Sequence, residues 1–147
     1  MMNYIVIILA ALGLTLTASA AEQPRDFKDI QGTWLPIAAE IGGQPMTSDF
    51  LKTTVLKLDD GKYEVTVGGV SDKGTYTIDA TLKPKTLDIT GTEGPNAGKK
   101  IPAIYELRRN TLRVCYGLGD GPRPTEFKSP PGTKFFLVTY QRQKPSR

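Results

Sequence analysis

Lys62-Tyr63-Glu64-Val65-Thr66-Val67, followed after a short break by Gly74-Thr75-Tyr76-Thr77-Ile78-Asp79, is the stretch on which the reading of the fold turns. In the first segment Tyr63, Val65 and Val67 alternate with Lys62, Glu64 and Thr66; in the second, Tyr76 and Ile78 alternate with Thr75 and Thr77. A repeat of two is that of a pleated strand with one apolar face and one wet face. The turn residues between the segments make them neighbours in an antiparallel sheet.

The same grammar extends outward in both directions. Leu87 and Ile89 alternate with Thr86 and Asp88, and strands are predicted over 32–40, 53–58, 63–67, 74–79, 86–90, 100–107, 111–116 and 135–141. Asp59-Asp60-Gly61 supplies residues able to take positive φ, and Arg108-Arg109-Asn110 is short enough for its flanking strands to pair. Sequential pairing gives a meander. About eight strands, each with one wet face, would leave two bare sheet edges, and closing the sheet on itself removes both. The expected fold is therefore all-β, a small antiparallel meander barrel of about eight strands, with an open sandwich as the alternative. Two connections are long. Residues 41–52 include Thr47 to Lys52, able to form a capped helical turn, and residues 117–134 are rich in Gly and Pro; both are expected to act as lids at the barrel mouth.

The N-terminus reads differently. Ile5 to Leu16 is nearly all apolar and is followed by Ala18-Ser19-Ala20, a hydrophobic core and small-residue cleavage site of a signal peptide over residues 1–20. A membrane span needs about 20 apolar residues, so no span is expected after cleavage. The segment before the apolar run holds no Lys or Arg, and retention of the uncleaved leader is the alternative. Export to the periplasm or the medium follows. The chain of 147 residues carries a formal charge of +4, spread over Lys83, Lys85, Lys99, Lys100, Arg108, Arg109, Arg142, Lys144 and Arg147. For an exported protein this does not suggest nucleic acid as a partner; an anionic envelope surface is the partner such charges would meet. One domain with one core is expected, and a monomer. The one cysteine, Cys115, leaves no internal disulfide.

Ahead of the first strand stands Phe27-Lys28-Asp29-Ile30-Gln31-Gly32-Thr33-Trp34, a short amphipathic helical turn leading into Gly-x-Trp. This resembles the first structural signature of lipocalins and related calycin barrels. The resemblance implies that the turn plugs one barrel end, that Trp34 packs beneath it, and that Arg142, at the end of the last strand, lies across the indole. Gly32, Trp34 and Arg142 are then architectural. From about Asp29 to Arg142 the chain is similar to an uncharacterised lipocalin-like family common in planctomycete bacteria, and the resemblance implies a lipocalin-like barrel domain over residues 27–142. The carrying segments are Gln31 to Trp34, Lys83 to Ile89, Thr92 to Pro95 with Gly98-Lys99, Ile104 to Leu107, Thr111-Leu112 through Cys115, and Arg123 to Phe127. That family implies no ligand and no activity.

Few residues are equipped for chemistry. Without a single histidine the chain lacks Ser-His-Asp and Cys-His arrangements, and one thiol with carboxylates is a poor first shell for zinc. No catalytic residue, metal or cofactor is expected. Gly94-Pro95-Asn96-Ala97-Gly98-Lys99 has the wrong spacing for a phosphate loop and runs into a strand, so it reads as a turn. Cys115 falls on the face of Thr111 and Arg113 and reads as a packed small hydrophobe. Glu93, Glu106 and Glu126 have nothing to orient them as acid and base. Arg123 and Glu126 are expected to pin the long loop to the barrel rim. Tyr63, Tyr76, Tyr105, Tyr116 and Tyr140 share the presumed inward faces with Trp34 and Phe136. They are the candidate lining of a site for a small apolar or amphipathic ligand. The competing reading is a filled barrel that docks on an envelope protein through Lys83, Lys85, Lys99 and Lys100. An enzyme is the third reading, carried by Glu106 or Glu126.

Overall fold

The computed structural model describes residues 18–145. Helix α1 (Ala18–Asp29) leads into strand β1 (Gly32–Ile41), a two-residue strand β2 (Gln44–Pro45) and the short helix α2 (Ser48–Thr53). Seven strands follow: β3 (Thr54–Asp59), β4 (Lys62–Val67), β5 (Val70–Asp79), β6 (Lys85–Glu93), β7 (Lys100–Arg108), β8 (Thr111–Gly117) and β9 (Phe135–Arg142). Each pairs antiparallel with the next, and β9 returns to β1 from Trp34↔Arg142 to Ile41↔Phe136. The sheet is a closed eight-stranded up-and-down barrel, to which β2 adds one short strand outside the ring.

Turn chemistry fixes the meander. Asp60 and Gly61 hold φ of 46° and 81°, and Gly68 and Gly69 hold 56° and 85°, the paired positive values that let two-residue hairpins match the twist of their strands. All connections therefore alternate between two ends. One end carries α1 and the turns after β3, β5 and β7. The other carries α2, the Gly68-Gly69 turn, residues 94–99 and residues 118–134.

The α1 end is sealed. Ile30 and Trp34 are wholly buried, the indole Nε1–H donates to the Ile30 carbonyl at 2.8 Å, and the Arg142 guanidinium lies 4.2 Å from the indole centroid. A Cβ on Gly32, whose φ is 138°, would come within 2.8 Å of Arg142 Nη1, so the glycine leaves room for the guanidinium. Leu56, Leu58, Tyr76, Leu87, Leu112 and Val114 fill the interior above this floor, leaving a void of about 20 Å³.

Three features differ from the sequence reading. The helical turn predicted near Phe27 is a helix of 12 residues, interrupted in pattern by Pro24 and docked through few apolar side chains, which is why no period of 3.6 announces it. Its first residues fall in the predicted leader, whose residues 1–17 lie outside the described part. Strand β5 starts at Val70, four residues before the predicted start, because Ser71-Asp72-Lys73-Gly74 has the composition of a turn but continues the ladder opposite β4. Lastly, the 118–134 connection is not a lid. Ile104 and Cys115 point outward from β7 and β8 yet are 1% and 0% exposed, and Cys115 Sγ donates to the Lys128 carbonyl at 3.4 Å. The connection covers this outer wall, where apolar strand residues needed a roof, and only Leu118 reaches the mouth.

Candidate functional site

Above the filled half of the barrel the mouth opens into a cavity of about 230 Å³. Its apolar wall is built by inward positions of successive strands, Leu56, Val65, Ile89 and Ile101, with Leu118 and Phe136. Helix α2 leans over it as the lid. Thr47 caps that helix by accepting from Phe50 N at 3.2 Å, and Phe50 meets Phe136 edge-on with ring centroids 6.0 Å apart. Phe136 stacks in turn on Tyr116 at 5.8 Å.

Two polar groups interrupt this wall. The Tyr116 and Tyr140 hydroxyls lie 3.0 Å apart, each buried; burial pushes Tyr116 up to about 12 and raises Tyr140 well above its ordinary value. Across the cavity is Asp72, an inward position of β5 and only 6% exposed. Its Oδ2 accepts from the Tyr63 hydroxyl at 3.0 Å and from Asn96 Nδ2 at 2.8 Å, and its Oδ1 accepts from Asn96 N at 2.9 Å. Gly74 makes this geometry available. A Cβ there would approach Tyr63 Cε1 to 2.6 Å, so its absence lets the ring lie across β5 and bring the hydroxyl to the carboxylate. Burial first, then Asp72, raises the Tyr63 pKa, which keeps this hydroxyl a donor.

Of the five tyrosines proposed from sequence, Tyr63, Tyr116 and Tyr140 line the cavity. Tyr76 does not. It packs 6.2 Å from the Phe27 ring toward the sealed end, and its hydroxyl is buried with no hydrogen-bond partner among the described residues. Tyr105 is also away from the cavity: its hydroxyl donates to Asp26 Oδ2 at 2.7 Å, beside Lys85 Nζ, which reaches the same oxygen at 2.8 Å and Glu22 at 3.2 Å. Gln23 adds bonds to Ile78 O and Ala80 N, and together these groups lock α1 to the barrel. A larger concavity, about 470 Å³, is a surface groove beside this lock and Arg142, walled by charges of both signs. Of its walls, Glu22, Asp26, Lys85 and Arg142 are engaged in holding the plug.

Arg123 fastens the long connection to β6 and β7 through Ala103 O at 2.8 Å, Leu87 O at 3.4 Å and Asp88 Oδ1 at 2.6 Å. Glu126 takes no part: it meets only Lys128, at 3.8 Å, and both side chains are 69% exposed. Glu106 pairs with Arg108 and Arg113 on the outer surface. The lysines proposed as one docking patch are divided, since Lys85 is held by Asp26 and Glu22 at the sealed end while Lys99 and Lys100 lie at the mouth. Among the described residues no group of acidic or sulfur side chains is arranged to hold a metal, and no helix is long and apolar enough to cross a membrane.

Sequence reasoning missed Asp72, Asn96 and Phe50. Asp72 was legible in principle, because Asp72, Gly74, Tyr76 and Ile78 share one parity. Asn96 and Phe50 come from connections and carry no periodic signal.

No protein-family model matches the sequence, and comparison with curated proteins finds no match. A solved structure similar to this chain is the crystal structure, at 1.00 Å resolution, of a DUF4847 family protein from Bacteroides vulgatus. The two share 16% identity, the similarity covers 80% of this chain and 96% of that one, and the TM-score is 0.49.

Proposed function

We propose that this protein is an exported, monomeric lipocalin-like barrel that binds one small amphipathic molecule in the mouth cavity beneath α2. The observation that carries this reading is the division of the interior: a solid lower half, and above it a cavity of about 230 Å³ whose apolar wall is broken by converging polar groups. The volume lies below the roughly 300 to 1,000 Å³ of drug-sized sites, which suits a compact ligand rather than a long acyl chain. The arrangement of Gly32, Trp34 and Arg142 supports kinship with lipocalins and related calycin barrels. Export is read from the apolar run Ile5 to Leu16 and the small-residue site Ala18-Ser19-Ala20 that follows it.

The test is a methyl NMR titration of the purified mature chain with phenethyl alcohol, a neutral probe of suitable size. Saturable shifts are expected for Leu56, Val65, Ile89, Ile101 and Leu118, with loss of binding in Val65→Phe, which adds a ring to the cavity. Absence of saturable shifts at these methyls would refute the binding reading. N-terminal sequencing of protein recovered from the native host tests export, and a chain still starting at Met1 would refute that part.

A further inference from the structure

We infer that the ligand carries a positively charged amino group, held by Asp72. This deepens the cavity reading above and rests on it. The buried carboxylate at the cavity wall accepts three hydrogen bonds, from Tyr63, Asn96 Nδ2 and Asn96 N, yet among the described residues no Lys or Arg forms an ion pair with it. Hydrogen bonds from neutral donors orient a carboxylate without neutralising it, and a buried charge without a counter-charge is unfavourable. A carboxylate has about four acceptor positions, and the three in use leave one on Oδ1.

The surroundings favour the same class of ligand. A fatty acid or another anion would bring its charge against Asp72, so the geometry disfavours the ligand class most readily expected of an apolar barrel. The ammonium and the apolar body would also use different parts of the wall. The amino group meets Asp72 and the Tyr63 edge, and the carbon skeleton meets Leu56, Ile89, Ile101 and Phe136. A small arylalkyl or alkyl amine fits this division.

The experiment compares three probes with one aromatic body, phenethylamine, phenethyl alcohol and phenylacetate, by calorimetric titration at neutral pH. The amine is expected to bind about tenfold or more tighter than the alcohol, the margin of a charge-assisted over a neutral hydrogen bond, and phenylacetate to bind more weakly than either. In Asp72→Asn the amine should fall to the level of the alcohol, and Asp72→Glu should restore its advantage. Equal binding of amine and alcohol by the unaltered protein overturns the inference and leaves the cavity reading standing. Binding of none of the three overturns both. An amine advantage that survives in a folded Asp72→Asn, with circular dichroism unchanged, overturns the role given to Asp72. If Asp72→Asn does not fold, the comparison of probes on the unaltered protein still decides the charge preference.

Discussion

The guanidinium of Arg142 lies over the Trp34 indole and at the same time donates to three main-chain carbonyls, those of Gln31 at 2.6 Å, Asp29 at 2.5 Å and Arg109 at 3.2 Å. These carbonyls come from the end of α1, the link to β1 and the β7–β8 turn, so one side chain ties three chain segments together. Arg142→Ala should destabilise the fold by about 2 to 3 kcal/mol in denaturant unfolding, combining the cation–π contact with several bonds from a charged donor. Arg142→Lys should recover less than half, because an ammonium cannot present the planar fork that spans these acceptors. A variant with alanine as stable as the parent would show that α1 and Trp34 seal the barrel unaided. Two buried tyrosines provide a sharper contrast. Tyr105 donates to Asp26, whereas the Tyr76 hydroxyl is buried without a partner among the described residues. Tyr105→Phe should therefore cost about 2 kcal/mol, while Tyr76→Phe should be neutral or stabilise by up to about 1 kcal/mol, since it removes an unsatisfied polar atom and keeps the ring against Phe27. Equal losses from the two substitutions, measured by chemical denaturation, would contradict this assignment.

Among the elements, the 118–134 connection has the most specific behaviour. Its composition marked it as a loop, but composition does not say in which direction a loop folds. Its place was decided by Ile104 and Cys115, apolar residues on the outer parity of their strands that require cover. That signal was present in the sequence as a break in alternation, and was read for Cys115 alone. Strand positions were legible where large apolar residues alternate, as in β4, and obscure where the inward residue is Asp72 or Gly74, which look like turn residues although the ladder runs through them. The cavity was half legible for the same reason: Tyr63, Tyr116 and Tyr140 sit on regular strands, whereas Phe50 and Asn96 enter from connections whose course only tertiary packing fixes. Helix α1 was the least legible, being held by Gln23, Asp26 and Glu22 through polar bonds rather than by an apolar stripe. The clamp on the long connection can be tested through the thiol it covers. Burial raises the Cys115 pKa, partly offset by the bond to Lys128, and the native thiol should react slowly with iodoacetamide. Arg123→Ala removes the bonds to Ala103, Leu87 and Asp88 and should speed alkylation by about tenfold or more while the barrel stays folded, a local opening rather than global unfolding. Glu126→Gln should leave the rate unchanged. If the two variants behave alike, the clamp is not where the geometry puts it.

At the scale of the molecule, the barrel is stabilised by a closed sheet, a plug and an interior unusually rich in phenols. Tyr63, Tyr76, Tyr105, Tyr116 and Tyr140 are between 1% and 7% exposed. All have pKa values raised from the ordinary 10.0, with burial the leading cause in each, and the carboxylates of Asp72 and Asp26 reinforce it for Tyr63 and Tyr105. A group whose folded pKa exceeds its unfolded value holds its proton more tightly in the native state. Below the unfolded value the two states bear the same proton and pH has no effect through these groups. Above it the unfolded chain ionises first and gains stability that the folded chain cannot, so native stability falls as pH rises through the window from about 10 upward. Lys85 acts in the same direction: burial lowers its pKa, but the bonds to Asp26 and Glu22 outweigh this and leave it raised, so the charge that fastens α1 is lost in the same alkaline range. Five independent phenols would titrate gradually near their ordinary value while the barrel signal persisted. The structure requires the other outcome: phenolate absorbance should stay low until the fold fails, then appear in one cooperative step together with loss of the β circular dichroism. Simultaneous recording of both signals during an alkaline titration distinguishes the two, and early phenolate absorbance from an intact barrel would mean that the tyrosine-lined interior is open to solvent far below the mouth.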